Sequence, residues 1–336
     1  MGRRKFTRQV FVAGIAGALA LSMAACGGST GTAADPASKA AGGAAGAKIV
    51  MGFAQVGAES GWRTANTKSI QDAAKAANVD LKFSDAQQKQ ENQIKAIRSY
   101  IQQKVSVIAF SPVVESGWDT VLKEAKDAGI PVVLTDRSVD SADKSLYVTF
   151  LGSDFVKEGQ SAGEWAVKEF GTKPTNVVEL QGTTGAAPAT DRKSGFAKAI
   201  AGSPNIKIIA SQTGDFTRAG GKQVMEAFLK SNPDINLVYA HNDDMGLGAI
   251  EAIEAAGKVP GKDIKIVTVD AVKDGMTALA AGKINFIVEC NPLLGTQLMD
   301  ITKKVLAGEK VEPRIVTEET TFTQEQAKVA LPDRQY

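Results

Sequence analysis

Short β-branched runs break off into strongly polar residues again and again along this chain. Residues 130–135 run into Asp136-Arg137, 237–240 into His241-Asn242-Asp243-Asp244, and 264–269 into Asp270. The same pattern takes 105–110 to Ser111, 177–180 to Gln181-Gly182, 284–288 to Glu289, and 50–53 towards Gln55 and Glu59. Between the runs lie segments of helical periodicity at 64–77, 87–103, 118–128, 155–170, 189–200, 217–230, 244–256 and 293–307, with Gly129, Gly257 and Gly308 closing three of them. Further strands are predicted at 79–83, 147–151, 176–180 and 206–211. Strands alternating with helices predict βαβ units and parallel sheets. In such sheets ligands bind beyond the carboxyl ends of the strands, so polar strand ends read as a distributed binding site.

The N-terminus breaks this pattern. Arg3, Arg4, Lys5 and Arg8 precede an apolar run over 10–21, and Met23-Ala24-Ala25-Cys26 follows, the order of an export signal. The run is short for a membrane-spanning helix. Cys26 after small residues resembles the lipidation site of a bacterial lipoprotein, which predicts a signal over 1–25 and a membrane anchor at Cys26. Residues 27–47 are small and lack periodic apolar positions, so 26–47 reads as a flexible tether.

With 336 residues, 43% hydrophobic and 23% charged, the chain is large enough for two globular domains. Loss of the signal's four basic residues turns the formal net charge of +2 into −2, and no basic run remains to suggest nucleic acid. Cys290 is the sole cysteine after Cys26, which rules out an internal disulfide, and His241 is the sole histidine. That leaves too few ligands for a structural zinc site. Residues 42–48 fail the phosphate-loop spacing, because Ala47-Lys48-Ile49 stands where Gly-Lys-Ser/Thr is required. No cofactor is expected.

At Glu59-Ser-Gly-Trp-Arg63, Asp85 to Gln93, Ser111-Pro112, Asp136-Arg137-Ser138, Glu179-Leu-Gln-Gly182, Asp191-Arg192-Lys193, Gly214 to Arg218 and Tyr239 to Met245, the chain resembles the sugar-binding proteins of ABC importers, in the ribose-binding group and nearest its galactofuranose binders. The resemblance implies an α/β fold of two doubly wound parallel-sheet lobes joined by a three-strand hinge. It places the first lobe at 48–151 plus 291–316 and the second at 152–290 plus 317–336. It further implies a monomer that holds a galactofuranose- or galactose-like monosaccharide between the lobes and delivers it to a permease at the outer face of the membrane.

A sugar presents hydroxyls that donate and accept, plus an apolar face. Its site needs planar charged groups and an aromatic platform. The expected ligand residues are Glu59, Trp62, Arg63, Asp136 and Arg137 from the first lobe, with Arg192, Asn242 and Asp270 from the second. Trp62 reads alternatively as a surface staple and Asp136-Arg137 as a structural ion pair. For Asn242 the alternative is a helix cap, although Asp243 and Asp244 are expected to take that role. Trp118 is expected in the core, and Gly182 is read as a turn or hinge glycine. A hydrolase using Glu59 and Asp136 would need one raised carboxyl, which the adjacent arginines oppose. A regulator core is disfavoured by the export signal, whereas presentation of ligand to a membrane sensor is not separable from import.

Overall fold

The computed structural model describes residues 48–336; the predicted signal, Cys26 and the tether lie outside the described residues. A parallel strand buried on both faces needs a continuous apolar run rather than an alternating one. The short runs meet this demand: every residue of β3 (Val107–Phe110), β4 (Val132–Thr135) and β8 (Leu237–Ala240) is buried.

The first sheet joins these β3 and β4 strands to β1 (Val50–Gln55), β2 (Asp80–Asp85), β5 (Thr149–Gly152) and β11 (Arg314–Val316), in the order 11-5-4-3-1-2 and parallel throughout. The second contains β6 (Thr175–Gln181), β7 (Ile206–Thr213), β8, β9 (Lys265–Asp270), β10 (Phe286–Glu289) and β12 (Thr321–Phe322), in the order 12-10-9-8-6-7, with β12 alone antiparallel. The order reverses between β1 and β3 in one sheet and between β6 and β8 in the other. These are the switch points where a crevice opens.

Helices α1 (Gly61–Ala76), α2 (Gln90–Gln102), α3 (Asp119–Asp127) and α9 (Gly295–Leu306) pack on the first sheet. The second is covered by α4 (Phe155–Phe170), α5 (Ala187–Ile200), α6 (Arg218–Ser231), α7 (Asp243–Ala255), α8 (Lys273–Ala280) and α10 (Gln324–Ala330). Apolar clusters lie on both faces of each sheet, Phe53 and Leu298 opposite Phe110 and Leu122 in one, Met225 and Met276 opposite Phe196 and Val267 in the other. Trp118 is buried against Phe110 at 4.9 Å between ring centroids, the core position expected of it.

The chain passes between the sheets three times, after Gly152, after Glu289 and after Val316. Two doubly wound lobes on parallel sheets are therefore what the βα alternation builds. Four short elements, α8, α10, β11 and β12, were not expected from the pattern. They span two to eight residues, and Gly275 interrupts the helical signal of α8.

Candidate functional site

The polar strand ends of both sheets meet in one cavity. All eight expected residues line it. Glu59 comes from the β1–α1 turn and Trp62 and Arg63 from the first turn of α1, and Asp136 and Arg137 follow β4; Arg192 lies on α5, Asn242 follows β8 and Asp270 ends β9.

On the first-lobe side the charges form one buried lattice. Ser60 caps α1 by accepting the Arg63 N–H at 3.1 Å, which sets the Arg63 side chain over the turn. Its guanidinium then pairs with Asp136 Oδ2 at 2.6 Å and Glu59 Oε1 at 3.0 Å. Burial works against the charge on Arg63, but Asp136 and Glu59 outweigh it and raise its pKa. Burial alone would raise Glu59, yet Arg63 and Arg137 hold it below its ordinary value. Arg137 lies 3.7 Å from both Glu59 Oε1 and Asp136 Oδ2 and donates to the Val113 carbonyl at 3.2 Å. Burial and the like charge of Arg63 push it down to about 10, which leaves it protonated at neutral pH.

The second-lobe side is organised by Arg192. Its Nε pairs with Glu158 at 2.7 Å, and a second nitrogen donates to the His241 carbonyl at 2.6 Å. Gly159 makes this possible: a Cβ there would stand 2.1 Å from the Arg192 carbonyl oxygen, so α4 and α5 approach closely only without one. The His241 ring meets Glu179 at 3.1 Å, and burial lowers its pKa despite that partner, so it is neutral and orients backbone. Burial pushes Asp270 well above the usual carboxylate range; Arg192 opposes this and Asp243 adds to it.

Glu59 Oε2 and Asp270 Oδ2, one from each lobe, belong to cavity-lining residues and have neither a hydrogen-bond nor an ion-pair partner, and Arg137 Nε makes no hydrogen bond, lying 3.7 Å from Asp136 Oδ2. A buried polar group left unpaired costs about 1–3 kcal/mol. Backbone strain concentrates at the same place, since Asp136, Phe216 and Asp270 carry φ values of 60, 61 and 124. Such strain persists only where the surroundings enforce it, and it collects at ligand clamps.

Two expectations are corrected. Asn242, not Asp243 or Asp244, is the side chain that caps α7, accepting the Met245 N–H at 3.0 Å while donating to the Phe216 carbonyl at 3.0 Å. It lines the cavity in addition to capping. Gly182 is bare for space rather than for a turn, because a Cβ would lie 1.9 Å from the Phe216 ring. Trp62 is no surface staple: it is buried among second-lobe residues and donates its indole N–H to the Cys290 carbonyl at 2.6 Å. Arg63 occupies one face of its ring, 4.7 Å from the centroid.

Phe216, Ser60, Pro188 and Cys290 also line the cavity. Phe216 stands under Arg137 from the opposite lobe, 5.2 Å from guanidinium carbon to ring centroid. Its position after Gly-Asp in a left-handed turn gives no periodic signal. Glu289 and Asn291 do not reach the cavity. Glu289 pairs with Arg334 at 2.8 Å and accepts from Tyr336, whereas Asn291 caps its own turn at Leu293.

Two parallel-sheet lobes crossed by three chain segments, with a charged and strained cavity shared between them, define a cleft-type binding protein. The chain belongs to the periplasmic binding protein domain family, whose model matches residues 51–310. It is 51% identical to the galactofuranose-binding protein YtfQ of Escherichia coli over 85% of this chain and 91% of that one. A Mycobacterium smegmatis protein solved in complex with β-D-fucofuranose is 66% identical, with 86% of this chain and 95% of that one covered and a TM-score of 0.85. The binding component of the arabinose ABC transporter of Shewanella sp. ANA-3, solved with α- and β-L-arabinofuranose, is 49% identical over 85% and 96% of the two chains, with a TM-score of 0.83.

Proposed function

We propose that this chain is the extracytoplasmic solute-binding lipoprotein of a sugar ABC importer, a monomer that captures a galactofuranose-like monosaccharide between its lobes and delivers it to the permease. The observation that carries this reading is the set of buried atoms that make no hydrogen bond, Glu59 Oε2, Arg137 Nε and Asp270 Oδ2, on cavity-lining residues of both lobes. Two acceptors and a donor, all desolvated, suit a polyhydroxylated ligand that can do both. The galactofuranose, fucofuranose and L-arabinofuranose of the relatives share one ring configuration and differ in the exocyclic tail, so a five-membered ring of that configuration is the proposed ligand.

The lobes would move as 48–151 with 291–316 and as 152–290 with 317–336. Closure would exclude water and strengthen each polar contact. Catalysis is disfavoured because Arg63 bridges Glu59 and Asp136, and Glu59 is held ionised rather than poised as an acid.

Trp62 supplies the test. Trp118 is buried against Phe110 and Trp165 is half-buried against Phe286, and neither lines the cavity, so a sugar-induced fluorescence change should come from Trp62. Titration with L-arabinose should change the emission saturably in the native chain and not in Trp62→Phe; no change in the native chain would sink the reading. Lipidation at Cys26 predicts that the chain stays with washed membranes and that Cys26→Ser releases it.

A further inference from the structure

Behind Arg192 the three crossovers are knotted together by one carboxylate. Glu319 Oε1 accepts from Ser153 Oγ in the first crossover, from the Asn291 N–H at 3.1 Å in the second, and from Thr317 Oγ1 at 2.9 Å in the third. Glu158 and Cys290 complete the knot, with ligand atoms of all three residues within 4.8 Å of one another. Glu158 uses Oε2 to hold Arg192, while its Oε1 is buried with no partner. An orphaned carboxylate oxygen beside a second carboxylate and a thiol is where one shared proton removes a repulsion and supplies a hydrogen bond.

We propose that Glu158 is a positioning residue for Arg192, and that the knot of Glu158, Cys290 and Glu319 takes up one proton as the lobes close, coupling ligand affinity to pH. The inference rests on the interlobe cavity being the sugar site. The proton comes from solvent and sits between the two carboxyls; no other bond forms or breaks.

The surroundings decide the sign. Facing Glu158 are Arg192 from α5, Asp270 from β9, Tyr239 from β8, Cys290 beyond β10 and Glu319 between β11 and β12; Asp154 at the N-cap of α4 and Lys157 on α4 flank it, and Arg314 lies on β11. Burial pushes Glu158 up to about 8 against the pull of Arg192, with Glu319 adding to the rise, and burial raises Glu319 as well. Opening of the lobes would admit water to the knot from the adjoining cavity, which Glu158 and Glu319 both line. Hydration favours the ionised form, so the open knot holds its proton less tightly than the closed one. Affinity is then full below the open-form pKa, which lies between the ordinary 4.5 and about 8, and is lost as pH rises through about 8.

Calorimetric titration of the native chain with L-arabinose, in phosphate and in Tris at pH 7.5, reads the coupling directly. Expected is a buffer-dependent heat equal to uptake of up to one proton per sugar, with affinity about tenfold weaker at pH 9 than at pH 6. Glu158→Gln keeps an oxygen for Arg192 and should bind with a flat pH profile; Glu319→Gln should flatten it independently if the first variant misfolds. Equal heats in the two buffers, or an unchanged pH profile in both variants, would overturn the coupling while leaving sugar binding intact. Stoichiometric Zn²⁺ binding that is lost in Cys290→Ala would overturn it in favour of a metal site. Absence of sugar binding at every pH would overturn the sugar reading itself.

Discussion

Asp270 concentrates the cost of the site in one residue. It is buried, its Oδ2 is unpaired, its backbone sits at φ 124, and burial holds its carboxyl far above the usual range. Asparagine keeps the shape and tolerates unusual φ, but removes the buried acid. Asp270→Asn should therefore weaken sugar binding by about 10-fold, the scale of one neutral hydrogen bond. The same change should raise the free protein's melting temperature at pH 8. Because the folded pKa is raised, the native state is penalised as pH rises towards and through it, and the neutral amide escapes that penalty. Parallel calorimetry and thermal melts check this; a variant that binds normally would show that Asp270 does not touch ligand. At this scale the sequence was informative where a polar residue ended an apolar run, as at Asp136, Asn242 and Asp270. It was silent on Phe216, whose role depends on a space left by a glycine remote in sequence, Gly182. Asn242 was misjudged in part because one side chain both caps a helix and faces the cavity, and spacing cannot separate the two.

At the level of elements, the lobes are held against each other at the N-terminus of α1. The Gly61 N–H donates to Asp244 Oδ2 at 2.7 Å, and Asp244 itself sits in the first turn of α7, where Arg218 of α6 approaches it at 3.4 Å. A carboxylate from one lobe thus satisfies a free N–H at the start of a helix in the other, where the helix dipole favours it. A second tie runs from the Glu115 N–H to the Gly185 carbonyl at 2.9 Å. Asp244 is not among the residues lining the cavity. Asp244→Ala should nonetheless weaken sugar binding by about 1 kcal/mol, roughly fivefold, through faster dissociation from a less stable closed form. Stopped-flow dissociation measures it, and an unchanged off-rate would show the tie to be incidental. Longer helices and strands were legible because their burial needs a period; the helix expected at 155–170 has those bounds, whereas other ends differ by up to three residues, as where the helix expected at 64–77 begins at Gly61 after the Ser60 cap. The tail strands β11 and β12 escaped notice because three- and two-residue strands are defined by the neighbour they pair with rather than by their own pattern.

The whole molecule is two half-sites whose charges make sense only together. Arg137 from one lobe stacks on Phe216 from the other, Trp62 reaches across to Cys290, and the unpaired atoms come from both sides. The repeated βα pattern was enough to expect two sheets with polar ends. That the chain crosses between them three times could not be read from periodicity, since a crossover is a connection and not a pattern; it came from the resemblance and is realised after Gly152, Glu289 and Val316. The central claim is that the interlobe cavity selects one furanose configuration. Calorimetric titration of the purified chain with D-galactose, D-fucose, L-arabinose and D-ribose tests it in a single measurement. The account predicts one-to-one binding of the first three, each tighter than ribose; ribose binding as tightly, or no heat with any of the four, would contradict it.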